Sequence, residues 1–86
     1  MKNQFLLDVR TPEEFQESHI PGSKLIPMNE IPDNIEEIKD IKQEILIICR
    51  SGARAEAVQG FLIRNNITNT KVLEGGILEH GTGPIN

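Results

Sequence analysis

Two rhythms of apolar residues run through this chain. Ile45-Leu46-Ile47-Ile48 is short, β-branched and unbroken, the pattern of a parallel strand buried on both faces. From Ala55 to Ile63 the apolar positions recur at helical spacing (Ala55, Val58, Phe61, Leu62), and no proline interrupts them. Earlier in the chain, Phe5-Leu6-Leu7-Asp8-Val9 reads as a first strand and Lys24-Leu25-Ile26-Pro27 as a brief second one. Lys71-Val72-Leu73 reads as the last.

Polar punctuation sets the boundaries. Thr11-Pro12-Glu13-Glu14 combines a threonine N-cap, a proline at the first helical position and a glutamate completing a capping box. A short helix is therefore predicted from there to about Glu17-Ser18, followed by a turn at His19-Ile20-Pro21-Gly22. Asp33-Asn34-Ile35-Glu36 offers a second N-cap, ahead of a small helix with the apolar stripe Ile35, Ile38 and Ile41. The long helix is predicted to end near Arg64, where Asn65-Asn66 can supply a left-handed cap. Glu74-Gly75-Gly76 turns the chain into an irregular tail, expected to be mobile from Ile77 to Asn86. Strands alternating with helices predict one α/β domain over residues 1–86, with a parallel sheet and right-handed crossovers.

A domain of 86 residues buries only about 60–65% of the surface its unfolded chain exposes, so stability is expected to be modest. Its one cysteine cannot form an internal disulfide and suits a reducing compartment. Met1-Lys2-Asn3-Gln4-Phe5 starts no long apolar stretch, and no later segment reaches transmembrane length. A cytoplasmic protein is expected. The net charge of −4 argues against broad attraction to nucleic acid or acidic membranes. The acidic side chains Glu13, Glu14, Glu17, Glu36 and Glu37 read as solvated helix faces.

Charge does change the picture at one place. Two of the four arginines, Arg50 and Arg54, lie on the loop Cys49-Arg50-Ser51-Gly52-Ala53-Arg54, between the buried strand and the long helix. Open α/β sheets bind ligands at the carboxyl ends of their strands, and the free N–H groups of a helix start favour an anion. A thiolate placed there is stabilised and more reactive at neutral pH, which makes Cys49 a candidate nucleophile. The two arginines point to a small anionic substrate; the plainer alternative is that one of them pairs with a neighbouring carboxylate. Asp8 at the end of the first strand can accept loop amides and pair with a guanidinium, so Asp8 and Arg10 read as structural. His19 reads as a hydrogen-bonding spacer rather than a general base, and His19 with His80 lacks the ligand spacing of a metal site.

Four segments come in a recognisable order: Leu7-Asp8-Val9-Arg10-Thr11-Pro12-Glu13-Glu14-Phe15, His19-Ile20-Pro21-Gly22-Ser23, the cysteine loop, and Leu73-Glu74-Gly75-Gly76-Ile77. Together they resemble the rhodanese family of single-domain sulfurtransferases. The resemblance implies a three-layer α/β domain, with a central parallel sheet of four to five strands and helices on both faces. It implies that Cys49 takes a sulfane sulfur from an anionic donor such as thiosulfate, becomes a persulfide, and passes the sulfur to a thiol or protein acceptor. The family needs no metal or organic cofactor. Arg50, Ser51, Gly52, Ala53 and Arg54 would form the substrate-binding loop, their amides aimed at the terminal sulfur and the two guanidinium groups at the donor's oxygens. Rhodanese-like phosphatases and arsenate reductases resemble the fold too, but place five residues between cysteine and arginine; here there are four.

The chain departs from the family pattern in three ways. It begins almost at the Asp8 segment, where members usually have an earlier strand, so an exposed sheet edge is expected that a partner could cover. It has no tryptophan after the glycine pair, and Ala55 stands where serine or threonine is common. These gaps keep open a second reading, a persulfide carrier or regulatory rhodanese-like module that works only with a protein partner.

Overall fold

The structure is a computed structural model and describes residues 3–85. Met1, Lys2 and Asn86, included in the domain expected above, lie outside the described residues. The strands are β1 (Gln4–Asp8), β2 (Lys24–Leu25), β3 (Glu44–Ile48) and β4 (Thr70–Val72). The helices are α1 (Pro12–Glu17), α2 (Ile35–Lys39), α3 (Ala53–Arg64) and α4 (Gly76–His80). All strand pairs are parallel, in the order β2-β1-β3-β4. The chain leaves β1 toward one edge and returns past it to build the other, so the winding reverses between β1 and β3. Such a reversal opens a crevice at the carboxyl ends of the two strands it separates.

Period-two alternation along β3 explains how both faces are filled. Ile45, Ile47 and Cys49 face a main core with Leu7, Val9, Ile31, Ile38, Ala55, Val58 and Leu62. Leu46 and Ile48 face the opposite side, where they cluster with Ile20 beside Leu73, Ile77 and Ile85. One face thus carries α2 and α3, and the other carries α4 and the tail. Both hydrophobic rhythms are present: Ala55, Val58 and Leu62 are the buried stripe of α3. This is the α/β sheet-and-helix architecture expected.

The local signals had mixed outcomes. Thr11 caps α1 with a complete capping box, Pro12 opens the helix, and Asn66 takes a left-handed conformation at φ 67°. At Asn34, however, no side chain caps α2. A 3-10 helix over Met28–Asn34 runs directly into it, and the Asn34 amide donates backwards to the Glu30 carbonyl. The helix begins by continuing a turn already formed, so it needs no cap. The tail after Gly76 is not irregular throughout, because Gly76–His80 is helical. Its first amides are held by backbone acceptors that carry no sequence signal of their own. Among the described residues no helix is long and apolar enough to cross a membrane.

Candidate active site

The crevice is built from the strand ends outward. The Val9 N–H donates to the Ile48 carbonyl at 2.9 Å, which keeps β1 and β3 in register to their last residues. Asp8 and Arg10 continue from β1 and close on each other. Arg10 Nε lies 3.0 Å from both Asp8 oxygens, Arg10 Nη2 lies 2.8 Å from Asp8 Oδ2, and the Arg10 amide donates to Oδ1. Nη2 also donates to the Ser18 carbonyl at 2.8 Å, tying the end of α1 to the end of β1. With Asp8 fully buried and Arg10 5% exposed, this pair is sequestered in the fold.

Cys49 follows β3 and is itself fully buried. Its Sγ accepts the Gly52 N–H at 2.9 Å and the Ala55 N–H at 3.4 Å. Gly52 makes the curl possible: its φ of 107° is a left-handed value that a side chain would strain. The amides that reach the sulfur thus straddle the loop and the first turn of α3, and Ala55 lies one residue beyond the predicted cradle. The hydroxyl missing at position 55 leaves the backbone donor in place. Arg50, Ser51 and Ala53 are exposed around the loop.

A second layer supports the loop from behind. The Ile77 and Leu78 amides, at the start of α4, donate to the carbonyls of Cys49 and Arg50 at 3.0 and 2.9 Å. Gly76 is buried with φ 59°, and a Cβ there would come within 2.5 Å of the Cys49 carbonyl oxygen. No side chain fits at that position, and the Gly75-Gly76 pair is the sequence trace of this close approach.

The arginine expected to steer substrate has a protein partner. Arg54 Nη1 and Nη2 donate to Glu14 Oε1 and Oε2 at 2.9 and 3.1 Å, a bidentate pair across 40 positions of sequence. Glu14 is therefore only partly a solvated helix residue. The Arg54 guanidinium and the Thr11 amide beside it hold its carboxyl well down, from 4.5 to about 2. Glutamate in turn raises Arg54, which keeps the guanidinium charged. Arg54, Arg10, Thr11, Met28 and Asn29 line a cavity of about 330 Å³ at the carboxyl edge of the sheet. His19 is elsewhere engaged: its Nδ1 lies 2.8 Å from the Phe15 carbonyl and its ring stacks on Phe15 at 3.7 Å.

Residues 1–80 match the family described as Rhodanese-like domain. The chain belongs to that family. A sulfurtransferase of Allochromatium vinosum is 38% identical to the rhodanese-like domain over 74 residues, 85% of this chain and 67% of that protein. A tRNA uridine(34) hydroxylase of Bacillus velezensis is 32% identical over 84 residues, 92% of this chain but only 26% of the relative. Among solved structures, one from Staphylococcus saprophyticus superposes with a TM-score of 0.86 at 38% identity, covering 95% of this chain and 80% of that one. The family and its sulfurtransferase member support a sulfur-transferring enzyme or a related activity, which implies a sulfur donor and an acceptor.

Proposed function

We propose that the rhodanese-like domain is a sulfurtransferase that carries sulfane sulfur as a persulfide on Cys49, taken from an anionic donor of the thiosulfate type. The observation that carries this reading is the sulfur's setting, with two backbone N–H donors on Sγ at the head of a twelve-residue helix. Amides aimed at one point stabilise an anionic sulfur in both the thiolate and the persulfide state. The Cys49 thiolate attacks the outer sulfur of thiosulfate; the new S–S bond forms as the old one breaks, and sulfite leaves with the electron pair. A thiophilic acceptor then attacks the terminal sulfur and restores the thiolate, so the cycle consumes no outside oxidant or reductant. Arg50 and Arg54 contribute the positive charge that recruits the donor, with Asp8, Arg10 and His19 as structural support. The reducing cytoplasm is the compartment that suits a lone thiol.

Intact-mass measurement after incubation with thiosulfate tests the reading. A gain of one sulfur atom is expected, reversed by cyanide and absent from a folded Cys49→Ser control. A protein that gains no sulfur rules out free-standing transfer from thiosulfate. The burial of Cys49 favours a second reading, a carrier opened by its partner. Slow discharge of a stable persulfide to cyanide, against rapid turnover, separates that carrier from a free enzyme.

A further inference from the structure

Glu14 stands on α1, and the loop it touches begins α3. Its position is over-determined. Oε1 accepts the Thr11 amide at 2.9 Å and the Thr11 hydroxyl at 3.1 Å, and the Glu14 amide donates to Thr11 Oγ1. A carboxylate fixed this way is a rigid anchor for what it binds, and it binds Arg54 by both oxygens. A guanidinium has five N–H donors. Two go to Glu14, and the other three have no protein partner among the described residues. The Arg54 side chain remains 33% exposed and lines the cavity at the carboxyl edge.

We propose that Glu14 is a positioning residue of this site: it holds the Arg54 guanidinium at the cavity edge so that its three spare donors meet the charged end of an anionic sulfur donor. The proposal rests on the sulfur-transfer reading for the identity of that anion. The long, flexible arginine loses little further freedom when the anion arrives, because Glu14 has already ordered it. The acidic partner costs some positive potential, and the ordered fork outweighs that loss.

The test is binding rather than turnover. Thiosulfate is titrated into the Cys49→Ser protein, which cannot form a persulfide, and Kd is read from amide NMR shifts of the cysteine loop. In that background Glu14→Gln is expected to weaken binding by about threefold to tenfold, as is Arg54→Ala. The Glu14→Gln, Arg54→Ala double variant is expected to bind no worse than Arg54→Ala alone, since Glu14 acts only through Arg54. Glu14→Asp, which keeps the charge, recovers part of the affinity. A dispersed spectrum shows that each variant is folded.

Unchanged or tighter binding in Glu14→Gln overturns the proposal, as does additivity in the double variant or the absence of any saturable shift. Failure of sulfur transfer in the wild type with the Glu14–Arg54 coupling intact would remove the sulfurtransferase reading instead. The two ideas therefore fail separately.

Discussion

Two arginine–carboxylate pairs stand at the same edge of the sheet and do different work. Asp8–Arg10 spans two positions of sequence, is almost wholly buried, and gives a further Nη2 donor to the Ser18 carbonyl. Glu14–Arg54 spans 40 positions, keeps about a third of each side chain in water, and leaves donors free beside a cavity. The chemistry of the pair is the same, and burial divides the roles. A closed, dry pair holds a strand end and a helix end together, whereas an open one can still bind something else.

The largest effect should come from breaking the closed pair. Arg10→Ala strands the buried Asp8 carboxylate and the Ser18 carbonyl, and is expected to cost about 3–5 kcal/mol. Urea denaturation would show it as a lower midpoint; a loss below about 1 kcal/mol would erase the distinction drawn here. Arg10→Lys sharpens the point. It keeps the charge but cannot reproduce the fork that meets both Asp8 oxygens and Ser18, so a loss of about 1–3 kcal/mol is expected from the same measurement.

Glu14→Gln should do least to stability, at most about 1 kcal/mol at neutral pH, because its pair is partly solvated. Its signature lies in pH. With the folded carboxyl held at about 2 against 4.5, the ionised group stabilises the native state fully above pH 4.5 and loses that contribution as pH falls toward 2. The stability gap between wild type and Glu14→Gln should therefore close across that window. Thermal melting at a series of pH values would measure it, and a gap independent of pH would place the interaction elsewhere.

What could be read from the chain followed the range of each interaction. Local devices were legible: the Thr11 capping box, the Asn66 cap, the β3 run and the α3 stripe all act within a few residues. The candidate nucleophile was legible too, since Cys49 sits where a buried strand meets a helix. Three features escaped because their partners are distant or are backbone. Glu14 looked like surface until the fold brought Arg54 to it. The 3-10 entry to α2 replaced a cap that Asp33 and Asn34 suggested. The helix after Gly76 depends on carbonyls of the cysteine loop, 28 residues earlier, as the Ile77-to-Cys49 and Leu78-to-Arg50 hydrogen bonds show. For those two bonds the sequence holds only the absence of a side chain at position 76.

Those two hydrogen bonds also give the cysteine loop a spectator. The amide hydrogens of Ile77 and Leu78 are shielded only while the carbonyls of Cys49 and Arg50 stay where they are. Any excursion that uncovers the buried sulfur by moving that backbone releases them to solvent as a pair. Their deuterium uptake is thus a clock for how often the site opens, read on residues that never touch the sulfur.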